Sequence, residues 1–185
     1  DSYHDIGPSW ASAAVGPLDW YKFFASEGGM RVPMIIGGKV DGRPIVKNVG
    51  EVTQSFSWIT DITPTILDLA GVGSAAINLP GHSLMPILSG QRDQLREADD
   101  VVGYELGGNK ALFKGDYKLV YNRVLGQQAA WQLFDISLDP GETKDLAETM
   151  PKRFAQLKLQ YEAWAQQHGV VEVSTDYDQR QEVFM

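Results

Sequence analysis

The chain has 185 residues, 43% of them hydrophobic, enough for one medium domain or two small ones with a real core, so it reads as globular rather than disordered. Sixteen Lys and Arg against 24 Asp and Glu give a formal charge of -8, which disfavours nucleic acid and anionic membrane surfaces as partners. No apolar run approaches the ~18 residues needed to span a bilayer, no signal-peptide pattern opens the chain, and zero cysteines exclude disulfides, thiolate metal sites and a cysteine nucleophile. The compartment stays open, a soluble protein of bacterial cytoplasm or periplasm being compatible with all of this. The first residue is Asp1 rather than Met, as expected for part of something longer.

Residues 1–29 carry the turn signals Gly7-Pro8, Gly16-Pro17 and Gly28-Gly29 around an aromatic cluster of Trp20, Tyr21, Phe23 and Phe24. They read as a long loop lining a cleft, since so long a loop without structure of its own is uncommon unless functional. Residues 32–36 form a short apolar run that predicts a strand buried on both faces of a sheet. From Ile59 the residues Ile62, Ile66, Leu69 and Ala70 keep helical spacing up to Gly71, a C-terminal cap, and predict an amphipathic helix laid on a sheet.

A Gly/Pro-rich connection, a helical turn at residues 83–88 and a charged stretch at 91–100 mark a boundary near residue 90. Beyond it come strand candidates at 101–106, 110–114, 117–123 and 131–136. Gly115-Asp116 between the second and third has the signature of a two-residue type II′ hairpin. A last helix is expected from about Met150, with Thr149 as N-cap, Pro151 in the first turn and Gly169 as stop. Its apolar face of Phe154, Leu157, Tyr161, Trp164 and Ala165 is best buried on one face of the small antiparallel sheet. The tail after Val170 alternates polar and acidic residues and is expected to wrap the surface.

Four segments in order carry a family resemblance. Lys22 stands five residues before Glu27-Gly28-Gly29-Met30-Arg31-Val32-Pro33; next come Asp61-Ile62-Thr63-Pro64-Thr65-Ile66-Leu67-Asp68-Leu69-Ala70-Gly71, and the hairpin from Glu105 to Gly115-Asp116-Tyr117-Lys118-Leu119. The fourth is Leu133-Phe134-Asp135 with Asp139-Pro140-Gly141-Glu142 and Asp145-Leu146-Ala147. Together they resemble the sulfatases of the alkaline-phosphatase superfamily, with bacterial arylsulfatases the nearest match, as the early Ser2-Tyr3, Gly7-Pro8 and Trp10-Ala11 also suggest.

The resemblance implies the C-terminal part of an alkaline-phosphatase-like α/β fold plus a small antiparallel sheet covered by a C-terminal helix. Residues 1–90 would then be the end of the catalytic domain and 91–185 a C-terminal subdomain. It further implies a sulfuric ester hydrolase that uses a formylglycine and a divalent metal, with calcium expected. The C/S-x-P-x-R motif from which formylglycine is made is absent here, and the Asp-Asn metal pair would precede Asp1. This chain is therefore expected to hold no cofactor, to contain no catalytic nucleophile or metal ligand, and to be inactive alone. Its partners would be the sulfate ester and the upstream part of the same catalytic domain.

Lys22 is the residue the resemblance assigns to sulfate contact. Its aromatic neighbours would make a buried ammonium costly unless an anion compensated it, although a lysine stem lying on rings with its head in water is the plainer geometry. Glu27, Gly28, Gly29 and Arg31 are read as loop support: the glycines for a tight turn or close backbone approach, and Arg31 as a partner for Glu27. Residues 139–142 read as a turn rather than a metal loop, and His4, His82 and His168 have no ligand partners at metal spacing. Two other readings stay open: a phosphonate or phosphate ester hydrolase of the same superfamily, and a non-catalytic interaction module using the aromatic loop.

Overall fold

The computed structural model describes residues 6–72, 78–124, 127–174 and 177. His4 and Ser2-Tyr3 lie outside them, as does most of the tail. The chain divides into two compact units, one of residues 1–32 with 99–185 and one of residues 33–98. Packing thus groups the early aromatic segment with the C-terminal sheet, a grouping that composition, which shifts near residue 90, does not register.

In the first unit, β3 (Val101–Leu106), β4 (Asn109–Lys114), β5 (Tyr117–Tyr121) and β6 (Trp131–Asp135) form an antiparallel meander in chain order. Lys114 pairs with Tyr117 across the β4–β5 turn, and Gly115 takes a positive φ of 55° while Asp116 does not, the sign pattern of a type II′ turn. Leu112, Leu119 and Leu133 stand opposite one another on three strands and are fully buried. They face helix α5 (Pro151–Gln167), whose Leu157 and Tyr161 complete the core, with Phe154 and Trp164 packed against it.

Helix α5 begins without a side-chain cap. Thr149 is not the cap: its hydroxyl donates to the Leu146 carbonyl oxygen at 3.2 Å. At the other end Gly169, at φ 66°, donates to Gln166 and Val170 to Ala165, the paired bonds of a Schellman ending. Gly103 of β3 lies under the Trp164 indole, where an added Cβ would stand 2.1 Å from the ring.

The early segment is less irregular than its glycines suggest. Helix α1 (Gly7–Ala14) has Pro8 in its first turn, where a proline starts a helix instead of breaking the chain. A single turn, α2 (Glu27–Met30), follows the aromatic cluster.

In the second unit the expected strand at residues 32–36 does not form: the segment carries no ladder, and Ile35 is 96% exposed. A strand buried on two faces needs neighbours on both edges, and the described residues supply none there. A small hairpin instead joins β1 (Lys39–Val40) to β2 (Arg43–Pro44) through Asp41-Gly42, both at positive φ. Helix α3 (Ile62–Leu69) ends on Gly71 in the same Schellman arrangement, with Gly71 bonded to Asp68 and Val72 to Leu67. Its apolar stripe is not covered by a sheet: Ile59, Ile62 and Ile66 are exposed, and Asp61, Pro64 and Thr65 are the buried positions. The helical turn expected at 83–88 is α4 (Met85–Leu88).

In the main core the Tyr161 hydroxyl is buried with no hydrogen-bond partner among the described residues, and burial, with Glu105 and Glu172 nearby, pushes the phenol well above the ordinary tyrosine range. Tyr161→Phe removes the unsatisfied group and keeps the ring. It is expected to stabilise the chain by about 1 kcal/mol. A lower urea midpoint for the variant than for wild type would contradict this.

Candidate functional site

The residues singled out in the sequence lie on one short segment, residues 19–31, packed on the sheet face opposite α5. Strand alternation places Lys118 and Val120 on that face while Leu119 points to the helix. Trp20, Tyr21 and Phe24 pack on one another, with ring centroids 4.5 Å apart for Trp20 and Phe24 and 5.3 Å for Tyr21 and Phe24. Trp20 and Phe23 hold positive φ angles of 56° and 85°, which bulky residues rarely adopt. The strained backbone therefore brackets Lys22 on both sides.

Glycine is required where α2 closes on this turn. An added Cβ at Gly28 would stand 2.1 Å from the Trp20 carbonyl oxygen, and one at Gly29 would stand 2.2 Å from that of Phe24. The Gly28 amide donates to the Asp19 carbonyl oxygen at 2.9 Å.

Beneath the turn is a buried charge cluster. The Lys118 side chain is fully buried, with Nζ 2.9 Å from Glu27 Oε1 and 2.8 Å from Glu142 Oε1, and Glu142 Oε2 accepts the Glu27 amide at 3.0 Å. Lys118 donates a hydrogen bond to Glu27 Oε1, and its ion pair with Glu142 is as short. Arg31 Nη1 reaches Glu27 Oε2 at 3.6 Å, so Glu27 stands between two cations. Burial raises the Glu142 carboxyl above the ordinary glutamate range, against the opposing pull of Lys118, the Glu27 amide and Ser26. Burial likewise raises Asp19, partly offset by the Trp20 amide, Ser26 and Lys118.

Two asparagines fasten the same turn. Asn109 Nδ2 donates to the Phe23 carbonyl oxygen at 3.0 Å, and Asn122 Oδ1 accepts the Ala25 amide at 2.7 Å while its Nδ2 donates to Ser26 Oγ at 2.8 Å. Residues 23, 25 and 27 are each tied to the sheet.

Lys22 itself is exposed, with Nζ 5.2 Å from the Phe23 ring centroid, so its ammonium is not a buried charge that requires an anion. The structure brings together Glu27, Gly28, Gly29 and Arg31, and among the described residues Lys22 has no ion-pair partner. Residues 139–142 contain the Asp139 turn, whose carboxylate accepts the Thr143 and Lys144 amides, but Glu142 leaves it at φ 53° to enter the charge cluster. His82 contributes a backbone amide to Asp61, and His168 sits at the end of α5 stacked on Trp164. Among the described residues no group of three or more His, Cys, Asp or Glu is placed to hold a metal.

Sequence reasoning quoted Lys118 in a motif and read Glu142 as part of a turn without seeing their pairing, and it passed over Asn109 and Asn122. A signal existed for Lys118, a lysine in a strand whose neighbours on both faces are apolar. In the second unit it passed over Asp61 and Arg96, a buried bidentate pair at 2.7 and 2.8 Å, with Asp61 also accepting the amides of Trp58 and His82.

Lys118→Met leaves two buried carboxylates facing each other and is expected to cost about 3–5 kcal/mol at neutral pH. The variant also loses the cation that lowers Glu142, whose raised carboxyl then takes a proton more readily when folded than when unfolded. The deficit should accordingly shrink as pH falls from the raised value toward the ordinary glutamate range. Urea midpoints of both proteins at pH 7 and pH 5 decide it: a gap that stays constant or widens in acid removes the cluster from this account.

Comparison with known proteins follows the same segments. The family described as "N-sulphoglucosamine sulphohydrolase, C-terminal" matches residues 16–168. An uncharacterized sulfatase of Schizosaccharomyces pombe is 32% identical over 185 residues, covering 96% of this chain and 32% of that protein. Arylsulfatase K of Danio rerio is 33% identical over 141 residues, covering 71% of this chain and 25% of that protein. Choline-sulfatase of Rhizobium meliloti is 30% identical over 132 residues, covering 70% and 24%. The chain thus spans about a third of the yeast protein and about a quarter of the other two. With most of its length matched, the turn bearing Lys22 and the hairpin bearing Lys118 included, the chain belongs to the sulfatases, as a member of the N-sulphoglucosamine sulphohydrolase C-terminal family.

Proposed function

We propose that the chain is the C-terminal part of a sulfuric ester hydrolase and that Lys22 is its contribution to the substrate's sulfate group. The observation that supports this reading is the family match itself, which runs through the Lys22 turn and the sheet that carries it. The relatives differ in the alcohol their names imply, aryl in one and choline in another, so the shared element is the sulfate ester.

An exposed ammonium on a fixed turn can approach the tetrahedral anion and neutralise charge that redistributes as the sulfur–oxygen bond breaks. Nζ stands over the Phe23 ring at 5.2 Å, and the residue is exposed to an approaching oxyanion. The formylglycine and calcium that the resemblance implies find no donor set among the described residues of this chain, and no step is assigned to them here. Nucleophile and metal would come from the rest of the catalytic domain, which is also the chain's partner in this reading.

Two measurements test it. The purified 185-residue chain should not turn over an aryl sulfate with or without calcium, and turnover would overturn the division of labour. In the longer protein Lys22→Ala should lower kcat/KM for a sulfate ester roughly a hundredfold, about 3 kcal/mol, with the thermal midpoint almost unmoved. Near wild-type kinetics would remove Lys22 from the site.

A further inference from the structure

We propose that Asn109 and Asn122 are positioning residues for Lys22, holding its turn on the β4–β5 hairpin through the Phe23 carbonyl and the Ala25 amide. This rests on the reading of Lys22 as the sulfate contact. Neither asparagine approaches the reacting group; both act through the backbone on the C-terminal side of Lys22.

The argument starts from strain. A phenylalanine at φ 85° and a tryptophan at φ 56° each sit in a backbone region that costs about 1–3 kcal/mol and persists only where surrounding contacts impose it. The contact nearest to Phe23 is the bond from Asn109 Nδ2 to its carbonyl oxygen, and two residues on, Asn122 takes the Ala25 amide. The two asparagines stand at the open end of the β4–β5 pair, one step beyond the Lys110–Tyr121 pairing, and Asn109 Oδ1 accepts the Arg123 amide at 2.8 Å. That bond and the donation to Phe23 use both ends of one amide, so its orientation is fixed. Asparagine suits both positions because one side chain can accept from a backbone amide and donate to a second group, the Phe23 carbonyl oxygen for Asn109 and the Ser26 hydroxyl for Asn122. The charge cluster of Lys118, Glu27 and Glu142 anchors residue 27, but it lies five residues from Lys22 and is itself part of the core. The asparagines are the ties nearest to the lysine and can be cut without emptying that core.

Two variants cut them differently. Asn122→Ala removes the acceptor of the Ala25 amide and the donor to Ser26, while Asn109→Asp keeps shape and the bond from Arg123 but replaces the donor to the Phe23 carbonyl by a carboxylate oxygen that repels it. Hydrogen exchange in the 185-residue chain reads the turn directly. The Phe24 amide, bonded to Tyr21, and the Gly28 amide, bonded to Asp19, should exchange roughly tenfold faster in both variants, while amides of β4 and β5 keep their rates. Unchanged turn amides, or turn and sheet amides accelerating together, would overturn the proposal.

The kinetic arm uses the longer protein. Each variant should lower kcat/KM for a sulfate ester roughly tenfold, and neither should lower it further in a Lys22→Ala background, because the loss passes through Lys22. Losses that multiply in the double variants mean that the asparagines act elsewhere and overturn the claim, as does wild-type kcat/KM in both single variants. If the wild-type longer protein hydrolyses no sulfate ester, the sulfatase reading fails, and with it the functional meaning of the tie; the exchange data still decide whether the tie exists.

Discussion

The first unit depends on one buried cation. Lys118 has no solvent at its ammonium, and an unpaired charge there would cost several kcal/mol even after relaxation. Strand alternation puts it on the sheet face away from α5, between Phe113 and Phe134 on the neighbouring strands. Its partners come from far along the chain, since Glu27 and Glu142 are 115 residues apart, so the cluster closes only when the early turn, the sheet and the loop after β6 are all in place. One face of the sheet is covered by apolar residues of a helix. The other carries buried apolar residues too, Val120 and Phe134 among them, but the turn on it is fastened by the Lys118 ion pairs and the two asparagines.

That contrast explains which parts were legible in the sequence. The meander follows from local signals: alternation along each strand, a glycine in the first central turn position, and a helix bounded by Pro151 and Gly169. Each acts within a few residues and is independent of what lies elsewhere. Lys118, Glu142, Asn109 and Asn122 are defined by partners 86 to 97 or more residues away, and a motif records their presence without recording what they meet. Glu142 was read as a turn residue and is one, but its left-handed backbone also turns its carboxylate toward a lysine. The segment at 32–36 shows the opposite error: a local apolar run announces a strand, yet a strand exists only if another backbone accepts its hydrogen bonds.

The second unit is organised from a polar centre instead of an apolar one. Asp61 is fully buried at the start of α3, capping Trp58, receiving His82 and gripping Arg96, while its own carbonyl oxygen accepts the Thr65 hydroxyl at 2.6 Å. The Thr65 hydroxyl oxygen in turn accepts the Leu84 amide, which ties α4 to α3. Helical periodicity announced α3 and an apolar stripe meant for a sheet, and residues 1–90 taken apart from the rest of the expected catalytic domain are expected to leave such apolar area exposed. Ile59, Ile62 and Ile66 are exposed, while Asp61, Pro64 and Thr65 are held inward, the Asp61 carboxylate accepting from four donors.

Lys22 combines a mobile stem with a constrained base. Its side chain is long and exposed, and an exposed lysine carries a substantial rotamer-entropy cost on engaging an anion. The backbone beneath it has left-handed residues at positions 20 and 23 and is tied at 23, 25 and 27, so the point from which the stem swings is fixed relative to the sheet. Gly28 and Gly29 let α2 close against that base at distances no side chain would permit. The flexible part of the device is thereby reduced to one side chain. In the role proposed for Lys22, an ammonium swung from a fixed origin would sample a smaller volume than one on a loose loop, and so present a higher local concentration of positive charge to a bound anion.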